Sequence, residues 1–266
     1  MKPSTLLVRE HYEWPSLRGD VGIEIEMEGN RDFPTGSLLP PPWVATSDNS
    51  LRGHSVEYVT NGAIPINQVD STIKGLKDIL AATRVTVHKS FRAGVHIHIN
   101  VREMNLNQVV NFACLYFILE HALVRYCGKD REGNLFCLRL EDAEAPLFFL
   151  ENAVKDNSFT WFHQDVIRYA SLNLRSISRH GSMEFRAMET NPDLSKISEW
   201  ANLLYNIKEV SLRNDRKDVV QDISFYGPEN WLIQKFGEEV HKQIYYDKFN
   251  DDVMSSLRNI QTLIYM

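Results

Sequence analysis

A chain of 266 residues, 43% hydrophobic and 24% charged, is long enough to bury a sizeable core and has the make-up of an ordinary folded globule. Its formal net charge of -6 argues against a general binder of nucleic acid or of anionic membranes. The three cysteines, Cys114, Cys127 and Cys137, lack CxxC spacing, so reduced, buried thiols are expected in place of a disulfide framework or a thiolate zinc site.

The first ten residues hold no apolar run long enough for a signal peptide. The longest apolar stretch, Val109 to Leu119, is too short to span a bilayer, so a cytoplasmic protein is expected. Gly22 to Glu28 alternates carboxylates with apolar side chains, the pattern of a strand with one dry face and one wet face. Two carboxylates about 4 Å apart near a surface repel by about 4 kcal/mol at an effective dielectric of about 20. Such a row is therefore either bathed in water or wrapped around cations.

Gly29 to Pro42, with Pro34, Gly36 and three consecutive prolines, reads as an extended loop, and a turn-rich step from Trp43 to Leu51 follows it. Ser55 to Thr60 is a strand with Glu57 at its middle, and Ile66, Val69, Ile73, Leu76 and Leu80 mark an amphipathic helix ending near Thr83. Gly94 to Val101 alternates again, placing His96, His98 and Asn100 on one face. Leu106 to Cys127, apolar nearly all round and closed by Gly128, predicts a central core helix. Glu120, His121 and Arg125 near its end are read as local ion pairs. A helix is expected around Leu147 to Val154 within an otherwise unassigned stretch from 129 to 158. Ser171 to Arg175 and Met183 to Met188 predict a hairpin turning at Arg179 to Ser182, with Glu184 and Arg186 on one face. Ile197 to Ile207, Leu232 to Ile244 (begun at Pro228) and Val253 to Ile264 predict three closing helices, with a charged connector from Arg213 to Asp222. No linker divides the chain, so residues 1–266 are read as a single domain with a helical C-terminal portion over 197–266.

Four strands thus each place functional groups on one face: Glu24 and Glu26, Glu57, His96 and His98, and Glu184 with Arg186. Carboxylates with an occasional imidazole suit hard cations such as Mg²⁺ or Mn²⁺. Arginines beside them are what phosphoryl transfer uses. Taken singly, the histidine pair is equally a solvated face or a metal site, a zinc hydrolase included, and Glu-x-Arg in a strand is most often a surface ion pair.

The order of motifs resembles the amidoligase family, which includes phage-encoded members and is related to glutamine synthetase and glutamate-cysteine ligase. The G-x-E-x-E strand is Gly22, Glu24 and Glu26. The D-x-S-L segment is Asp48, Ser50 and Leu51, followed by the strand with Glu57. G-x-H-x-H is Gly94, His96 and His98, and the closing N-x-R and E-F-R strands are Asn173, Arg175, Glu184, Phe185 and Arg186. The resemblance implies an α+β fold whose curved, mainly antiparallel sheet carries the site, with helices on the convex face, as in the glutamine synthetase-like catalytic domain. It implies that Glu24, Glu26, Glu57, His96 and Glu184 hold two or three Mg²⁺ ions (or Mn²⁺), that His98 faces nucleotide phosphate, and that Arg175 and Arg186 contact the transferring phosphoryl group and the substrate carboxylate. Arg92 and Arg179 are alternatives to Arg175. The implied activity is ATP-dependent joining of a small-molecule or peptide carboxylate to an amine through an acyl phosphate. A phosphotransferase on the same site, a catalytically silent binding protein and a metal-dependent hydrolase remain as rivals.

Overall fold

The computed structural model describes residues 5–128, 131, 133–134, 137–143, 145–164 and 170–266. Its strands are β1 (Val21–Gly29), β2 (Trp43–Thr46), β3 (His54–Thr60), β4 (Val87–His88), β5 (Gly94–Asn100), β6 (Leu172–Asn173) and β7 (Ser182–Glu189). They form one open sheet in the order β2-β3-β1-β5-β7-β6, with β4 paired to the end of β1, and each of these pairings is antiparallel.

Alternation makes this sheet two-faced. Val21, Ile23, Ile25 and Met27 of β1, Val95, Ile97 and Ile99 of β5, and Met183 and Phe185 of β7 are all buried in a shared core. That apolar face is covered chiefly by α3 (Leu106–Cys127), whose Phe112 and Tyr116 rings pack on Phe185, and by α6 (Ser195–Arg213). A capping box starts α3: Gln108 N–H donates to the Asn105 side chain, and Asn105 N–H donates to the Gln108 side chain. The stretch read as too short for a membrane thus extends into a helix of 22 residues, long enough by length and composition to span one, but most of it is buried within the fold. After the short α1 (Val8–His11), helix α2 (Val69–Ala82) buries Val69, Ile73, Leu76 and Leu80 and packs against α6.

Several predicted elements are redrawn. Trp43–Thr46 is a strand at the sheet edge, because the Trp43 ring is buried and its Nε1–H donates to Thr72 O. The predicted hairpin turn is a short helix, α5 (Ser176–His180), stopped by Gly181 at φ 69°, although β6 and β7 still pair as expected. The charged connector is mostly a helix (Arg216–Tyr226), capped by Asp215 and buried through Val219 and Ile223. Its Arg216 is also buried, donating to Leu263 O and to the Asn107 and Asn111 side chains. The predicted second closing helix is broken by Gly237 into Pro228–Phe236 and Glu238–Ile244, and the third divides at Ile260 into Phe249–Asn259 and Gln261–Tyr265. The helix expected around Leu147 is α4 (Ala145–Asp156). His121 pairs with Glu141 at 3.4 Å, but among the described residues Glu120 makes no ion pair: it is buried, accepting from Ser171 Oγ and from Leu140 N–H at 2.9 Å. The three cysteines are free and buried.

Candidate functional site

On the face of the sheet opposite α3 the register assembles three rows. Thr46, Glu57 and Glu26 align across β2, β3 and β1; Glu24 aligns with His96; and His98 aligns with Gly22 on one side and with Glu184 and then Asn173 on the other. Gly22 leaves the space that His98 uses, since a Cβ there would stand 3.3 Å from the His98 Cβ. The alternating strands therefore bring together seven of the predicted site residues: Glu24, Glu26, Glu57, His96, His98, Glu184 and Arg186.

Two donor sets result. Glu24, His98 and Glu184 offer atoms within 4.8 Å of one another, and so do Glu26, Asp48 and Glu57. In the first set His98 Nε2 lies 3.2 Å from Glu24 Oε1, while His98 Nδ1 meets the Ser176 and Ser182 hydroxyls at 3.1 and 3.0 Å. His96, expected as the cation ligand, is wedged between two carboxylates, its Nδ1 being 3.1 Å from Glu24 and 3.6 Å from Glu184. Thus His98, expected to face phosphate, completes the first donor set. Glu184 also accepts from Asn173 Nδ2 at 2.6 Å and from Arg186 Nη1. Among the described residues the buried Nε of Arg186 has no hydrogen-bond partner.

Burial works to raise Glu24, but the charges of His98 and His96 outweigh it and hold this carboxyl well below the usual range. Glu184 is likewise held low against its burial, chiefly by Arg186. The second set behaves oppositely. Burial pushes Glu26 up in spite of His96, and burial pushes Glu57 up in spite of the hydrogen bond from Thr46 Oγ1 at 2.6 Å. Gly94 N–H donates to Glu26 at 2.8 Å. Asp48 reaches this set from the loop after β2, where Ser50 N–H donates to its carboxylate at 2.6 Å. Glu28, the third carboxylate of β1, accepts from Arg52 N–H at 2.7 Å and so pins that loop.

Arg175 stands at the start of α5, half-buried, with its N–H on the Asn173 side chain at 3.0 Å. It lines a cavity of about 250 Å³ with Glu24, His98, Glu184, Arg186 and Arg179. An adjoining cavity of about 400 Å³ shares Glu24, His98, Arg179 and His180. Arg179 therefore borders both, whereas Arg92 stacks on Phe91, 5.1 Å from the ring centre. Asp48 and Asn173 stand in the sequence motifs without an assigned role. The Asp48-Asn49-Ser50 turn was the available signal for Asp48, since Asp favours such local side-chain turns.

A family model described as "Putative amidoligase enzyme" matches residues 48–208, a span that takes in Asp48, Glu57, His96, His98, Glu184 and Arg186. No curated protein matches the chain significantly.

Proposed function

This chain belongs to the amidoligase family, which marks it as a ligase-type enzyme, and from that premise we propose that it is an ATP- and Mg²⁺-dependent carboxylate–amine ligase with a glutamine synthetase-like catalytic domain. The observation that carries the reading is the pair of three-donor sets, five of their six residues on sheet strands and Asp48 on the loop after β2, with Arg186 clamped to a member of the first.

The donors fit the cation: carboxylates with one imidazole favour Mg²⁺ or Mn²⁺ over softer metals. Glu26, Asp48 and Glu57 would hold one ion and Glu24, His98 and Glu184 another, with His96 bridging the carboxylates of the latter. Bound there, Mg²⁺ supplies positive charge against the phosphates of ATP. Arg186 keeps its Nε–H for the charge that spreads over the transferring phosphoryl oxygens. Ser176 and Ser182 fix the His98 ring through Nδ1, so that Nε2 stays turned toward Glu24. Arg175 and Arg179, on the cavity wall, suit the carboxylate of a small-molecule or peptide substrate. In this reaction the γ-phosphate of ATP passes to a carboxylate, and an amine attacks the resulting acyl phosphate.

The test is ADP and phosphate release with Mg²⁺ and ATP across a panel of acids and amines, with hydroxylamine added to trap an acyl phosphate as its hydroxamate. ADP release that requires the acid, together with hydroxamate, supports the ligase. A stable phosphorylated product would move the assignment to a phosphotransferase. Hydrolysis without nucleotide would indicate a metal-dependent hydrolase, and absence of any Mg²⁺–ATP binding by calorimetry would leave a non-catalytic role.

A further inference from the structure

We propose that Arg131 is the positioning residue for Arg186; its consequence for catalysis rests on the ligase reading, but the contact it describes does not. Where β5 and β7 pair, Val95 stands opposite Met188 and Ile97 opposite Phe185. Between those pairs β5 spends one residue, His96, and β7 spends two, Arg186 and Ala187, which is a β-bulge. A bulge takes backbone groups out of the ladder, and buried carbonyls then need another donor. Arg131 serves both carbonyls: its Nη2 donates to Arg186 O at 2.9 Å and its Nε to Ala187 O at 3.1 Å. The N–H of Arg186 is taken by a third segment, donating to Ser171 O at 2.8 Å. Both backbone polar groups of Arg186 are therefore gripped from outside the β5–β7 ladder.

Arg131 is 2% exposed, and among the described residues its Nη1 has no hydrogen-bond partner. Among the described residues no carboxylate pairs with it. A buried cation without a counter-charge is expensive, and two carbonyls of the bulge are a poor substitute for a carboxylate. What the arrangement gains is geometry: a planar fork spans two adjacent carbonyls, which an ammonium, as a point donor, does not. Gly94 makes the approach possible. A Cβ there would lie 2.6 Å from Arg131 Nη2 and 3.4 Å from His96 Nε2, so the guanidinium lies against the backbone at the start of the strand that carries both histidines. Arg131 comes to this place because α3 ends at Gly128, whose carbonyl accepts from Arg131 N–H at 3.1 Å.

The test compares wild type with Arg131→Met, Arg131→Lys and a surface control, Arg9→Met. Side-chain ¹⁵N spectra, with Arg186→Lys used to assign the Arg186 Nε–H, report hydrogen exchange at that proton, while the amides of Ile97 and Phe185 report the core of the sheet. Arg131→Met should speed exchange at Arg186 Nε–H at least tenfold with core amides still protected, and should weaken Mg²⁺–ATP binding at least tenfold by calorimetry. Arg131→Lys should fall between, and Arg9→Met should match wild type. Unchanged Arg186 exchange in a folded Arg131→Met protein overturns the proposal; if that variant does not fold, unchanged exchange in Arg131→Lys does so. Should wild type bind no Mg²⁺–ATP, the ligase reading fails, while the exchange measurement still decides the role of Arg131.

Discussion

Replacing Glu26 with Gln should stabilise the metal-free protein and abolish its response to Mg²⁺. The oxygens of Glu26, Asp48 and Glu57 lie within 4.8 Å of one another. At that spacing and an effective dielectric of about 20, each fully charged pair costs about 3.5 kcal/mol. Burial raises Glu26 and Glu57 above the ordinary carboxylate value, which makes their ionised forms the costlier ones, while solvent around Asp48 screens part of the repulsion. The net relief is about 1–2 kcal/mol, since the Gln oxygen can still accept from Gly94 N–H. For a chain of this length that is a rise in Tm of about 2–8 °C. The sign with pH follows from the raised values. The protonated forms favour the fold below the unfolded carboxyl value, and that contribution is lost as pH rises through the higher folded ones. In EDTA the wild type should therefore lose stability with rising pH more steeply than Glu26→Gln. Thermal melts near neutral pH, in EDTA and in millimolar MgCl₂, measure both effects. A variant that melts below wild type in EDTA, or that gains as much from Mg²⁺, would refute the reasoning.

Three further outcomes are expected. Glu184→Gln removes the partner of Arg186 and a member of the first donor set, so Mg²⁺–ATP affinity should fall at least tenfold by calorimetry; unaltered affinity would count against the site. Glu120 is pushed up to about 7 by burial, against the hydrogen bonds from Ser171 and Leu140. Its contribution to stability is therefore complete below the ordinary value of 4.5 and is lost up to about pH 7, a change of about 3 kcal/mol. Urea denaturation of Glu120→Gln should be flatter over that window, and equal slopes in the two proteins would contradict this. Gly94→Ala should cost about 1–3 kcal/mol by the same method, because its Cβ meets the Arg131 guanidinium at 2.6 Å; a loss below about 0.5 kcal/mol would mean that Arg131 yields freely.

The strands with strict alternation were legible because one rule, period two, sets both the fold and the site: the residues that avoid the core must share the other face. That is why Glu24, Glu57, His98 and Glu184 could be placed together without coordinates. Helix ends were harder where a glycine inside an apolar period, such as Gly237 at φ 86°, breaks one predicted helix into two. Short elements with mixed composition were not legible at all. The helix after Asp215 looks like a charged linker because its buried Arg216 finds its partners in Asn107, Asn111 and Leu263, far along the chain. Arg131 was invisible for the same reason: its partners are backbone carbonyls of a bulge, and no side-chain pattern announces a bulge.

The two donor sets also differ in a way that spacing could not reveal. Glu24 and Glu184 are already compensated by His96, His98 and Arg186, which is why both carboxyls are held low in the protein alone. Glu26 and Glu57 feel His96 more weakly than they feel burial, and both are held high. A cation entering beside Glu26, Asp48 and Glu57 meets carboxylates that the protein leaves short of positive charge. One entering beside Glu24 and Glu184 must displace the proton of His98 and coexist with Arg186, and it gains most when an anionic group arrives with it. Under the proposed function this orders the events: the Glu26 set takes a cation from the free protein, and the Glu24 set takes one together with nucleotide phosphate. Mg²⁺ alone therefore reports on Glu26, while Mg²⁺ with ATP reports on Glu184, so each substitution is paired with the measurement that its set controls.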